Sequence, residues 1–470
     1  DALIAATLTA MCSEPGVCAP GGGGFITLWP AGQDPVNIDG YMTMPGLDGP
    51  PNPSPVTRTV EMEYGGGVST GVGPGSIAVP GAFAAFDVAH QRWGGMPWSR
   101  VLGGVADALA DGFPLPQASR YYLGFSGEPI FGFDPASRQA LFDGDRLRDV
   151  DEMVKVPGLC DTLRHIGDGG AETFYRGDLA AQMVSDLTDR GGLITRRDLT
   201  DYRALIRPAL LSRLRDWTIA TVPPPAVGGV TLSAILRLVQ RSSDPLDPGQ
   251  WAGAQEEVFR ARLERLEQTT DRAATGWTFL ATIPDDATES GSTVSIAVAD
   301  GQGTVAAATM SGGYGSGVIP TGTGLWMNNS LGEIELNPGH HSVPPGERLM
   351  SNMAPTVAAG PGRRLAVGSP GADRITSALA ITLTLALSGQ RLEEAVEHPR
   401  LHVEMKRGTV AVEPGLVLDQ SPLTPRHFPS PDMYFGGVTA AEVGAGRLSG
   451  YADTRRTGGV AFVRSRPRTP

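Results

Sequence analysis

The sequence predicts a mixed α/β chain of the α+β kind. Three observations carry this. Apolar residues recur at helical spacing in several separate stretches, short β-branched runs lie between them, and glycine- and proline-rich turns punctuate both. With 41% hydrophobic and 19% charged residues over 470 positions, the chain can bury a substantial core and has the length of one large or two to three medium domains. Its 63 glycines and 39 prolines follow no fixed period, which excludes collagenous and low-complexity classes. No internal repeat is found.

In chain order, residues 1 to about 12 are apolar and alanine-rich, as in a helix. They run into four consecutive glycines, Gly21 to Gly24, and a strand-like Phe25-Ile26-Thr27-Leu28-Trp29. Such a glycine run lets backbone approach backbone or ligand closely. Residues 46–55 and 65–80 read as turn-rich loop, and helical spacing returns over 81–112. Leu179, Met183, Val184 and Leu187 share one helix face, which Gly191-Gly192 should end. Pro223-Pro224-Pro225 opens a turn, and Gly228-Gly229 leads into an apolar helix over 230–239. A charged helix over 255–271 and a polar stretch over 284–292 follow, the latter expected to be an exposed, cuttable linker. Residues 293–299 and 304–310 then read as a hairpin turning at 300–303. A strand from Leu365 leads through Gly368-Ser369-Pro370-Gly371-Ala372-Asp373-Arg374 into a long apolar helix over 375–387.

Several function classes are excluded at this level. The net charge is −12 and the basic residues are scattered, with only Lys155 and Lys406 as lysines, so no nucleic-acid partner is expected. Cys12, Cys18 and Cys160 make neither a disulfide framework nor a zinc pattern, and are expected as free or buried thiols. No run of about 18 apolar residues suggests a transmembrane helix, and no basic-then-apolar leader opens at Asp1. The expected compartment is therefore cytoplasmic, or exported if a further N-terminal segment precedes. Adjacent His340 and His341 on a Pro/Gly-rich loop offer no third ligand and are expected to be solvated rather than metal-bound. Gly67-Val68-Ser69-Thr70-Gly71 fits the GxSxG spacing but lacks the strand–turn–helix context of a nucleophile elbow.

Thr293 has the setting of a different nucleophile. A threonine hydroxyl needs a base, and a cut just before it would free its own α-amino group, whose pKa of ~7.7–8.0 suits that work. Thr293 lies where the polar linker meets a buried-type strand, so the cut would fall between Ser292 and Thr293. From spacing alone, a strand-opening threonine is more often structural.

Ordered motifs along nearly the whole chain strengthen the catalytic reading. They include Asp1-Ala2 through Gly21–Phe25, Phe174-Tyr175-Arg176-Gly177, Gly191-Gly192-Leu193-Ile194-Thr195 with Asp198, Leu199 and Tyr202, and Pro223–Pro225 with Gly228-Gly229. Later come the Thr293 strand, Gly315-Ser316-Gly317, Gly322-Thr323-Gly324, Asn328-Asn329, Met353-Ala354-Pro355-Thr356, the Gly368 loop with Arg374, and Pro399-Arg400. In these the chain resembles the γ-glutamyltranspeptidase family. The resemblance implies a four-layer αββα N-terminal-nucleophile sandwich built by both halves of the chain. The cut would leave a large subunit, 1–292, and a small one, 293–470, from one precursor. It also implies a small-molecule substrate, a covalent intermediate and no cofactor, and leaves the oligomeric state open. By resemblance, Thr293 is both cleavage site and nucleophile, Thr309 supports it by hydrogen bonding, and Gly371 and Ala372 supply the oxyanion-binding N–H groups. Ser351 and Asn352 stand where the family places two substrate-contacting serines.

The departures concern substrate holding. Tyr41 stands where the family has an arginine that grips the donor's α-carboxylate, and a phenol lacks that charged fork. Glu333 replaces the aspartate for the α-amino group, within the altered run from Asn328 through Asn329, Ser330 and Leu331 to Ile334. Ser311 replaces an asparagine, and Val294-Ser295 the usual threonine–histidine pair. The tyrosine- and aspartate-rich block before the nucleophile is also missing. A substrate other than glutathione is therefore expected. Related chains with altered pockets include acylases, capsule-processing enzymes and C–C hydrolases of alkylproline antibiotic pathways (lincomycin, anthramycin and hormaomycin types), and the arginine-heavy composition is compatible with the last. A non-catalytic binding homologue is the rival from another class.

Overall fold

Two antiparallel sheets form the centre of the molecule. In the computed structural model, the described residues are all except 50, 51, 53, 65, 66, 267, 268, 270, 283–292, 335, 338–342, 419, 420, 422 and 464–470. The first sheet orders its strands Val294–Ala299, Val305–Ser311, Gly23–Trp29, Val36–Gly40 and Leu205–Pro208. The second orders Leu210–Leu214, Trp217–Thr221, Thr356–Gly360, Arg363–Gly368, Thr439–Gly444 and Arg447–Ala452. Each sheet draws strands from both sides of position 293, so the two halves of the chain interleave in one composite core.

Side chains alternate between the faces of a strand, which sorts each strand's residues into two layers. Ile26, Leu28, Ala306, Ala308 and Met310 point outward from the first sheet and pack with the helices Ala2–Ser13, Ala82–Trp93 and Trp98–Ala108. Ile219, Ala358, Leu365 and Val367 point outward from the second, beneath the helices Gly228–Arg241, Pro248–Arg265 and Arg374–Leu387. Between the sheets lies a third cluster of small residues, Ala220, Val305, Ala307, Val357 and Ala366, flanked by Ala297 and Ala299. The result is the expected four-layer αββα sandwich. Every residue of Arg374–Leu387 is buried, as in a helix that is apolar all round.

Local expectations hold at many points. The first helix spans Ala2–Ser13, the helix with Leu179, Met183 and Leu187 buried spans Asp178–Asp189, and the predicted hairpin at 293–310 is present. The loop expected over 65–80 needs correcting, because Val68–Val72 is a strand paired with Arg58–Met62. Ser69, the centre of the GxSxG spacing, is exposed on that hairpin and its Oγ donates to Glu61 at 2.6 Å. The charged helix begins earlier than expected, at Pro248, capped by Asp247, and a further helix, Arg272–Thr282, follows. The predicted linker, including Ser292, and the His340-His341 pair lie outside the described residues. Cys12, Cys18 and Cys160 are free thiols. No helix among the described residues is long and apolar enough to cross a membrane.

Candidate active site

Thr293 immediately precedes the edge strand of the first sheet, and only 3% of it is exposed. The ladder places Val294 opposite Met310 and Ser295 opposite Thr309. Period-two alternation turns Ser295 and Thr309 toward the second sheet, where their hydroxyls lie 3.3 Å apart. Ser295 Oγ also lies 3.2 Å from the Ala308 carbonyl, to which it donates. Thr309 thus meets Ser295 on the face turned to the second sheet. Gly368 makes this pair possible: a Cβ there would fall 2.0 Å from Ser295 Oγ and 3.3 Å from Thr309 Oγ1. Gly24 does the same from the neighbouring strand, where a Cβ would lie 2.0 Å from the Thr309 carbonyl oxygen.

Beyond Gly368 the chain turns through Gly371 and Ala372 into the Arg374–Leu387 helix. Gly371 has φ +123° and Ala372 φ +64°; the latter is a left-handed conformation that costs a non-glycine residue ~1–2 kcal/mol. Asp373 caps the helix by accepting from Arg374 N at 2.9 Å. Its carboxylate also meets Arg374 Nη1 at 2.6 Å and His402 Nε2 at 3.0 Å. Burial alone would raise the Asp373 carboxyl, but Arg374 and His402 hold it below the ordinary range. His402 Nδ1 lies 2.9 Å from Ser377 Oγ, which donates to Gln255 at 3.0 Å. Sequence reasoning missed Asp373, His402 and Gln255 as supports of this turn.

The opposite wall is carried by the segment after Val36–Gly40. The Tyr41 ring stacks on Phe25 at 5.5 Å, and Tyr202 O–H donates to the Tyr41 carbonyl at 2.7 Å. Asp198 accepts from Gly46 N and Leu47 N, both at 2.9 Å, while closing a capping box with Thr195. The motif from Gly191 to Tyr202 is therefore scaffolding for the Tyr41 segment. Burial, reinforced by the Glu333 carboxylate, pushes the Tyr41 phenol well above its usual pKa, with Ser351 pulling the other way. Tyr41 is accordingly a neutral hydroxyl near neutral pH.

Ser351 and Asn352 are fixed from behind by the Gly228–Arg241 helix. Val227 N and Gly228 N both donate to the Ser351 carbonyl, at 2.9 and 3.2 Å. Arg262, fully buried on the Pro248–Arg265 helix, donates through Nη2 to Asn352 Oδ1. Ser311 Oγ accepts from Gly313 N at 2.9 Å. The Glu333 carboxylate packs over Gly313, where a Cβ would lie 3.1 Å from Oε2.

These groups meet around a small cavity of about 20 Å³, lined by Thr293, Tyr41, Ser311, Glu333, Ser351, Asn352 and Ala372, with Leu336, Met353 and Ile375 as its apolar part. The sequence did not reveal the apolar three. Thr309 and Gly371 are not among the lining residues, though Gly371 adjoins Ala372, which is. Asn329 is engaged elsewhere: its amide accepts from Tyr314 N at 2.7 Å and donates to Thr70 Oγ1 and Gly71 O, both at 3.0 Å. Ser330 is buried outside the lining. A larger cleft of about 220 Å³, beside Lys155, Cys160 and Arg164, contains none of the candidate residues. Among the described residues no cluster of histidine, cysteine or carboxylate side chains could hold a metal ion.

The γ-glutamyltranspeptidase family model matches residues 1–257 and 251–463. The chain is 25% identical over 475 residues to the glutathione hydrolase proenzyme of Escherichia coli strain K12, covering 89% of this chain and 79% of that one. It is 28% identical over 451 residues to the acylase ACY 1 proenzyme of Pseudomonas sp. strain SE83, covering 86% and 78%. In structure it is similar to the cephalosporin acylase of Bacillus halodurans, with a TM-score of 0.77 at 21% identity over 99% of this chain and 91% of that one.

Proposed function

The chain belongs to the γ-glutamyltranspeptidase family of hydrolases and acyltransferases, and from that premise we propose that it is a self-processing enzyme with Thr293 as nucleophile. The observation that carries the reading is the cavity at which Thr293, Ala372 and the Tyr41–Glu333–Asn352 wall converge.

In the first step the Thr293 hydroxyl attacks the Ser292 carbonyl, and the C–N bond breaks as the nitrogen takes up a proton and an ester forms in its place. Water then hydrolyses that ester to leave a carboxylate on Ser292 and the separate subunits 1–292 and 293–470. The freed α-amine of Thr293 is then the base that takes the hydroxyl proton as the oxygen attacks a substrate carbonyl. The Gly371 and Ala372 N–H groups receive the oxyanion, where fixed dipoles act without reorganising. The adduct collapses to the acyl-enzyme as the substrate's leaving group departs with the proton held by the α-amine, and water or an acceptor then takes the acyl group and returns the threonine. Ser295 and Thr309 keep the strand end in place from the same face. Ser311, Ser351 and Asn352 bind the substrate's polar end. Asn329 serves the site by tying the loops at Tyr314 and at Thr70-Gly71 together.

Because Tyr41 supplies a neutral hydroxyl where a guanidinium would grip a carboxylate, the acyl group is other than an ordinary γ-glutamyl group. A denaturing gel and a γ-glutamyl anilide assay test both parts. Two fragments that disappear in Thr293→Ala, with weak anilide turnover, are expected. One uncut band with undiminished activity sinks the nucleophile reading, and robust glutamyl turnover sinks the substrate reading.

A further inference from the structure

Asn352 lines the cavity and is 4% exposed, and its two polar atoms differ in circumstance. Oδ1 accepts from Arg262, whereas Nδ2 is buried with no hydrogen-bond partner. A guanidinium only donates, so it can face only the oxygen of the amide, and the orientation of Asn352 is fixed by chemistry. An unsatisfied buried donor in a cavity wall is costly unless a ligand supplies the acceptor.

We propose that Arg262 is a positioning residue that locks Asn352 as a donor, so that this wall selects substrates carrying a neutral carbonyl at the far end of the acyl group. The inference rests on the acyl-transfer reading above and names the substrate class for the same site. Neutrality follows from the surroundings. Tyr41, Ser311 and Ser351 are uncharged hydroxyls, and the Glu333 carboxylate in the same lining opposes a substrate carboxylate while accepting an N–H. A carboxamide satisfies both partners, its oxygen toward Asn352 Nδ2 and its N–H toward Glu333. The short hydrocarbon leading to it suits Leu336, Met353 and Ile375.

The test compares three nitroanilides of equal acyl length on the full chain: glutaramoyl, its isopropyl-ended apolar isostere, and glutaryl. The wild type is expected to favour glutaramoyl over the isostere by about tenfold or more in kcat/KM, chiefly through KM, and to process glutaryl more slowly. Arg262→Met should erase the preference while self-cleavage persists. Asn352→Asp keeps a partner for Arg262 but replaces the donor with an acceptor. It should erase the preference as well, and decides the matter if Arg262→Met does not fold. Equal turnover of glutaramoyl and isostere, glutaryl as the best substrate, or a preference that survives in both variants overturns the proposal. If the wild type fails to cut itself and hydrolyses none of the three, the nucleophile reading fails. Calorimetric binding of the same anilides then decides the Arg262 proposal, with tighter glutaramoyl binding supporting it and equal binding overturning it.

Discussion

The two walls of the cavity are built in different ways. Around Thr293 the geometry is set by backbone: a strand register that puts Ser295 opposite Thr309, a glycine pressed against their hydroxyls, and a left-handed residue leading into a capped helix. On the facing wall, side chains from distant segments hold the surface. Tyr202 and Asp198 fasten the Tyr41 segment, and Arg262 fixes Asn352. A backbone-built wall admits few substitutions before the strand end and the turn move apart. A wall held by side chains can change one contact at a time while the sandwich stays intact.

The largest expected effect breaks the first wall at its reactive atom. Thr293→Ala should reduce turnover by about a thousandfold or more and leave one band near 49.1 kDa; fragments persisting in the variant would mean that another residue makes the cut. Next is Gly368→Ala, whose methyl meets Ser295 Oγ. Overpacking of ~1–3 kcal/mol should appear as a lowered melting temperature together with lost turnover. An unchanged melting temperature would show that the hydroxyl pair yields freely. On the second wall, Tyr202→Phe strands the Tyr41 carbonyl at a cost of ~1–3 kcal/mol, and KM should rise more than kcat falls. The opposite split in steady-state kinetics would assign Tyr202 to the reaction wall.

The smallest effect is a pH dependence beneath the turn. Glu404 receives a bidentate contact from Arg426, at 2.9 and 2.7 Å, and one from Tyr434 O–H at 2.8 Å, and the Arg374 guanidinium lies 4.5 Å from the Tyr434 ring. Burial opposes ionisation of Glu404, but these contacts lower it from 4.5 to about 2. A depressed carboxyl stabilises the fold fully above 4.5, and that contribution is lost as pH falls from there toward 2. Thermal melts between those limits should show a shallower acid limb in Glu404→Gln; an identical limb would remove Glu404 from the acid response.

What the sequence made legible was mostly local. Alternation and β-branching marked the Thr293 hairpin, and apolar spacing marked the first helix and the Arg374–Leu387 helix. The hairpin at 58–72 escaped because its glycines resemble a loop until cross-strand pairing is known. Gln255 and Arg262 fall in what reads only as a charged helix, yet both are fully buried, and their partners lie 90 or more residues away at Asn352 and Ser377. Asn329 shows the reverse. It lies in a motif associated with substrate, but its amide pins one loop to another.

The layer between the sheets has a further consequence. Thr293 is attached to one sheet and Ala372 to the other, so the alanines at 220, 297, 299, 307 and 366 act as a spacer that sets the distance between Thr293 and the Ala372 turn. Enlarging one of them to valine or leucine would wedge the sheets apart at a distance from the cavity. In the mechanism we propose, catalysis is in that sense gauged by the thickness of a seam that contains none of the reacting groups.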